Sequence, residues 1–239
     1  MKKVCSICQK VFSGIGVAAV ALLLINAVAA PTEVAVPTLS EDDPLMLAAS
    51  GERDTLPTYQ IKAWDLPKKM DFAGESVPLQ ISDVRERLDR ELLVNVYWQS
   101  NGLLLIKRAH KFFPIIEPIL AKYDVPNDFK YLALIESGLQ NVVSPSGAAG
   151  FWQFMKGTAK EYNLEMENTV DERYHLEKAT EAACLYLKKA KEEMGSWTLA
   201  AASYNAGKSG IRTQLNKQQV NDYYDLHLNN ETSRYVFRI

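Results

Sequence analysis

The sequence predicts a mainly α-helical domain. Three observations carry the prediction: apolar residues recur at three- and four-residue spacing in several windows, no stretch sustains the period-two alternation of a half-buried strand, and glycines fall where the periodic runs end. With 239 residues, 47% hydrophobic and 23% charged, the chain has apolar material for one globular domain with extensions and is neither disordered nor collagen-like in composition. The net charge is -2, with no basic block beyond the first ten residues. That argues against nucleic acid as a partner and favours a neutral or mixed-charge substrate.

The first element is an export segment. MKKVCSICQK supplies a short basic region, and VFSGIGVAAVALLLINAVAA an apolar stretch ending in Ala27, Val28, Ala29 and Ala30. This is the layout of a secretory signal cut after Ala29. The stretch is also long enough to span a bilayer, so residues 1–29 read as a signal peptide or, uncleaved, as a membrane anchor. Either way the domain is expected outside the cytoplasm, in the periplasm or cell envelope. Cys5 and Cys8 have the spacing of redox and zinc motifs but no partner cysteines, and they read as incidental residues of the signal. No cysteine closely follows the apolar stretch, so a lipid anchor is not supported. Cleavage leaves Cys184, in an Ala/Leu-rich run, as a core residue with no disulfide partner.

Residues 30–78 are rich in Pro, Asp and Glu (PTEVAVPTLSEDDP, then SGERDTLP) and are expected to form a tether, its last part pinned to the domain by Trp64, Met70 or Phe72. The domain then occupies 79–239, with N-terminal helices over 79–125 and the part that carries the chemistry over 126–239. Ile81, Val84, Leu88 and Leu92 make one helical stripe. Leu103 to Leu120 make a second, expected to be interrupted by Pro114 and Pro118. Asn127 is the expected N-cap of a helix that stops at Gly138. Leu176 to Met194 should end at Gly195 and Thr198 to Ala206 at Gly207, with one further turn over Ile211 to Leu215. The final run to Ile239 carries no stop signal and reads as part of a longer chain.

Three stretches carry candidate chemistry. In the first, Phe129, Leu132, Ala133 and Glu136 stand at i, i+3, i+4 and i+7, so Glu136 takes the place of an apolar stripe residue. Burial and the negative end of the helix dipole should both raise its pKa, as a general acid requires. A buried Glu satisfied by a structural hydrogen bond fits that helix equally well. In the second, S-P-S-G-A-A-G-F-W-Q-F-M (144–155), small residues and glycines permit close approach, while Phe151, Trp152 and Gln153 suit the apolar faces and hydroxyl edges of sugars. Read alone, it is better explained as a helix cap with core aromatics. In the third, A-A-A-S-Y-N-A-G (200–207), Tyr204 and Asn205 are the large polar groups on a helix that packs closely, or simply its capped end.

E-S at 136–137, G-F-W-Q at 150–153 and Y-N-A-G at 204–207 occur in that order and separation in one family, and E-T-S-R-Y at 231–235 looks like its later E-T-x-x-Y element. From about Leu79 to Ile239 the sequence resembles the lytic transglycosylases with the soluble lytic transglycosylase domain, most closely the membrane-bound lytic transglycosylase D group. The resemblance implies a lysozyme-like helical fold of the goose-type lysozyme and transglycosylase kind. It also implies cleavage of peptidoglycan between N-acetylmuramic acid and N-acetylglucosamine, leaving 1,6-anhydro ends without consuming water. Carried over, it makes Glu136 the catalytic acid/base, with Ser137 orienting it or the substrate. Gln153 would bind the glycan, Tyr204 and Asn205 would line the site, Tyr235 would hydrogen-bond near the acid, and Trp152 would stack on a sugar.

Two rivals stand beside this expectation: a lysozyme-type muramidase, which hydrolyses the same bond, and a non-catalytic glycan-binding scaffold. Ordinary glycosidases need a second carboxylate at roughly 5–5.5 or 6.5–9.5 Å. There is no Asp or Glu between Ser137 and Lys160, which fits one-carboxylate chemistry, although Glu161, Asp171 and Glu231 remain as distant partners. His110, His175 and His227 have no paired ligand spacing and no phosphate loop is present, so neither metal nor other cofactor is expected. The expected partner is the peptidoglycan glycan strand, with no nucleic acid, membrane contact through an uncleaved N-terminus alone, and a monomeric protein.

Overall fold

The structure is a computed structural model that describes residues 62–239. The expected signal or anchor and the tether as far as residue 61 lie outside the described residues.

The end of the expected tether carries a hairpin. Strands β1 (Asp71–Phe72) and β2 (Glu75–Ser76) pair antiparallel around Ala73 and Gly74, both at positive φ as a tight two-residue turn requires. Phe72 is buried, its ring edge-on to Phe129 at 5.4 Å, whereas Trp64 and Met70 stay exposed. So of the three candidate pins one is used, and residues 71–76 belong to the folded unit.

Helix α1 (Ser82–Tyr97) buries Val84, Leu88 and Glu91. Helix α2 (Gln99–Lys122) runs unbroken through Pro114 and Pro118, against the expected interruption. The reason lies in their placement. The prolines are four residues apart on an exposed face, where water can satisfy the carbonyls they leave unpaired, while Ile116 and Leu120 are fully buried on the other. A 3-10 turn over Asn127–Phe129 leads into α3 (Lys130–Ser137), and no side chain caps its start. Asn127 is therefore not the expected N-cap. Instead, Asp128 accepts a hydrogen bond at 2.9 Å from the Ala73 amide of the hairpin. Gly138 ends α3 in the left-handed conformation, its N–H donating to the Leu134 carbonyl at 2.8 Å.

After an irregular loop come α4 (Lys156–Glu161), a 3-10 turn (Glu172–Tyr174), α5 (Leu176–Met194), α6 (Trp197–Ala206) and α7 (Lys208–Gln218). The last is three turns long rather than the one expected. A 3-10 turn at Tyr223–Asp225 and α8 (Asn230–Arg238), N-capped by Asn229, complete the described residues.

The core centres on α5 against α6. Ala179, Ala182, Ala183 and Ala190 of α5 and Ala200, Ala201 and Ala202 of α6 are all essentially inaccessible, and such small side chains let packed helices approach closely. Cys184 is buried among them, and desolvation pushes its thiol pKa up to about 12, so it packs as an inert apolar residue. No helix among the described residues is long and apolar enough to cross a membrane.

Candidate active site

Glu136 lies in the last turn of α3, whose apolar residues Leu132 and Ala133 are fully buried and aim the following turn at a cleft. The Tyr235 hydroxyl, carried by α8, donates a hydrogen bond to its Oε1. Burial raises the Glu136 pKa. The Tyr235 hydrogen bond and the Arg238 charge oppose that, Glu231 adds a smaller push upward, and the net shift is upward. Tyr204 also feels this carboxylate; burial first and Glu136 second push its own pKa far up, so it stays a neutral donor.

The cleft beside Glu136 has a volume of about 550 Å³ and includes Glu91, Trp98, Arg108, Arg234 and Arg238 among its lining. Gln153, Tyr204 and Asn205 are among the residues that line a separate, smaller space of about 230 Å³.

The 144–155 loop is shaped by atoms that leave no room for alternatives. Gly150 has φ +80°, and a Cβ there would lie 1.8 Å from the Arg173 carbonyl oxygen, so no other residue fits. Arg173, 4% exposed, donates at 2.9 Å to both the Gly147 and Phe154 carbonyls and pairs with Asp171 at 2.7 Å. This arginine staple is a structural determinant that the sequence did not reveal.

The expected site residues have different surroundings. Glu136 and Tyr235 touch, with Tyr204 electrostatically linked to both. Ser137 braces rather than reaches. Its buried hydroxyl lies 2.8 Å from the Phe151 carbonyl and 3.1 Å from that of Ala133, and accepts from the Gln140 amide, tying the acid's helix to the loop. Tyr204 donates to the Trp152 carbonyl at 2.7 Å, and Asn205 accepts from the Thr232 hydroxyl at 2.9 Å, so this pair links the loop on one side to α8 on the other. Gln153, at φ +48°, donates its amide to the Val142 and Gly150 carbonyls at 3.0 and 2.8 Å.

Trp152 needs correction. Its ring is 0% exposed, with the indole N–H donating to Thr180 Oγ1 at 2.9 Å, so it cannot stack on a sugar and instead supports the loop from beneath. Among the distant carboxylates, Glu161 pairs with Lys189 at 3.1 Å and Asp171 with Arg173, while Glu231 pairs with Arg238 at 3.0 Å and acts on Glu136 through charge alone. Glu91 was missed. Its signal was the one that marked Glu136, an acid in an apolar stripe: Val84, Leu88 and Glu91 stand at i, i+4 and i+7. No cluster among the described residues has the three His, Cys, Asp or Glu side chains needed to hold a metal ion.

Residues 113–226 match the family model described as Transglycosylase SLT domain. Two curated relatives are the membrane-bound lytic murein transglycosylase D of Escherichia coli K12 and its counterpart in Escherichia coli O6:H1. Each is 26% identical over 174 residues, covering 69% of this chain and 38% of the relative. The chain thus matches well under half the length of those relatives.

Proposed function

We propose that the chain, whose residues 113–226 match the transglycosylase SLT domain, is a peptidoglycan lytic transglycosylase that cleaves the N-acetylmuramic acid to N-acetylglucosamine β-1,4 bond without hydrolysis. The observation that carries the reading is Glu136, a carboxyl in a cleft, pushed toward its protonated form by burial and held in one orientation by Tyr235.

Glu136 gives its proton to the glycosidic oxygen as the C1–O bond breaks, and the substrate's own acetamido group stabilises the positive charge developing at C1. The carboxylate thus formed is stabilised by the Tyr235 hydroxyl and the Arg238 charge. It then removes the proton from the 6-hydroxyl as that oxygen attacks C1, closing the 1,6-anhydro ring and restoring the acid. Water takes no part, which agrees with the ion pairs that occupy Glu161 and Asp171. Ser137 keeps the acid's helix in register with the loop, and Gln153, Tyr204 and Asn205 face the glycan. The substrate is the peptidoglycan strand, reached by export of a monomer to the periplasm or cell envelope through residues 1–29.

Mass spectrometry of peptidoglycan digests tests the proposal. Products should carry anhydro ends, lighter by one water than reducing ends. Glu136→Gln should lower turnover by about 10²- to 10⁴-fold, roughly 3–5 kcal/mol of barrier, with folding and glycan binding retained. Reducing ends would indicate a muramidase, and a Glu136→Gln variant that keeps most of its activity would remove Glu136 from the mechanism.

A further inference from the structure

Glu91 is 2% exposed, a depth at which a carboxylate needs a partner. It has one on another helix: Arg234 Nε donates to Glu91 Oε1 at 2.5 Å, and the half-exposed Arg90 adds a second contact at 3.0 Å. Arg234 immediately precedes Tyr235 in the chain. The α1–α8 contact is thus fixed at the residue next to the one that holds the acid.

A second link runs parallel to it. Arg87, also on α1, donates to the Ser233 carbonyl at 3.4 Å and to the Tyr224 carbonyl at 3.3 Å, with its guanidinium over the Phe237 ring. Apolar packing alone would let α8 slide or rotate by a fraction of a turn, whereas a buried charge pair has a single geometry. A displacement of about 1 Å at a group acting on the reacting centre can cost 10²-fold in rate.

We propose that the Glu91–Arg234 pair is a positioning device: it sets the register of α8 so that the Tyr235 hydroxyl meets Glu136. Neither residue touches the reacting atoms in this role. The inference rests on the functional reading above for its effect on rate, but its effect on Glu136 is measurable without turnover. The groups that face Glu136 or line its cleft are Tyr235, Arg238, Glu231 and Arg234 from α8, Tyr204 from α6, Arg108 from α2 and Glu91 from α1.

The direction of the Glu136 titration separates positioning from simple electrostatics. Loss of the Glu91 anion, with nothing moving, leaves Arg234 uncompensated and stabilises the Glu136 carboxylate, lowering its pKa. If α8 shifts, Glu136 loses the Tyr235 hydrogen bond and its proximity to Arg238, both of which favour the ionised form, and its pKa rises.

The experiment is a ¹³C-carboxyl NMR titration of Glu136, assigned with Glu136→Gln, in the whole chain and in its Glu91→Gln and Tyr235→Phe variants. A Glu91→Leu/Arg234→Leu double variant, which leaves no unpaired buried charge, guards against loss of the fold. The expected result is an upward shift in Glu91→Gln in the same direction as in Tyr235→Phe. In digests, kcat should fall by about 10- to 10²-fold with KM little changed. A Glu136 titration that stays in place or moves down in folded Glu91→Gln and double variants overturns the inference. Absence of anhydro products from the unmodified protein would overturn the functional reading instead, leaving the titration to decide the positioning role.

Discussion

The α5–α6 contact and the α1–α8 contact both support the cleft at Glu136, yet they are built from opposite materials. The buried residues of α5 and α6 include seven alanines, with Leu187 and Leu199 among the larger side chains beside them. Between α1 and α8 two arginines and a buried glutamate make the connection. Close apolar packing has no charge to titrate and tolerates little change of volume. A charged contact tolerates volume but depends on both partners being present. The difference teaches where each kind of perturbation should act: size on the alanine contact, charge on the arginine contact.

The sharpest way to break the comparison is to change size alone. Ala201 is fully buried on α6, and Ala201→Leu inserts three carbons into the packed core. Overpacking of this sort typically costs about 1–3 kcal/mol. The urea midpoint should fall by a corresponding amount, with an unchanged slope and no dependence on pH or salt between neutral and mildly acidic conditions. A loss confined to acid or to low salt would mean that the alanine contact relies on charge after all.

How much of this was legible in the sequence follows the same division. The alanine helices and their glycine stops were plain, because small-residue runs and Gly195 and Gly207 report on local geometry. Glu136 was visible as a charge in an apolar stripe. Glu91 obeyed the same rule and was overlooked because Arg234, the partner that gives it meaning, lies 143 residues away. Arg173, the anchoring of the hairpin at Asp71–Ser76 and the burial of Trp152 share that cause: each depends on a contact with a segment well separated in sequence. The prolines of α2 misled for a different reason, since the sequence does not say which helix face will meet water.

Charge does enter the alanine contact at one point, and there the expected effect is smaller. Glu75, from the hairpin, accepts from the Trp197 amide at 2.6 Å, and from the Thr198 amide and hydroxyl at 2.9 and 2.8 Å, with Lys191 at 3.1 Å. Burial pushes its pKa up, but these hydrogen bonds outweigh it and hold the group below its ordinary value of 4.5. A carboxylate with a depressed folded pKa contributes stability that is present above its unfolded pKa and lost as pH falls through the folded one. Glu75→Gln keeps an acceptor but removes the charge at the start of α6, so it should cost about 1 kcal/mol at neutral pH. Thermal melts of the two proteins should differ at pH 7 and converge as the pH drops below 4.5. Parallel curves down to strong acid would show that Glu75 acts by shape rather than by charge.

The smallest effect expected is a gain. Ser203 sits in the alanine contact with its hydroxyl fully buried and unpartnered among the described residues, although its own carbonyl accepts from Tyr186 at 2.7 Å. A buried hydroxyl without a hydrogen bond is a cost, and alanine has the higher helix propensity. Ser203→Ala therefore completes the alanine surface and should raise stability by about 0.5–1 kcal/mol. Because the carbonyl at this position survives the substitution, the Tyr186 bond is kept, and the Tyr204 ring packed 5.1 Å from Tyr186 has no reason to move. Glycan cleavage should accordingly be unchanged while the urea midpoint rises. If instead stability falls, the hydroxyl has a bonded partner in solution, and the α5–α6 contact is less purely apolar than its alanines imply.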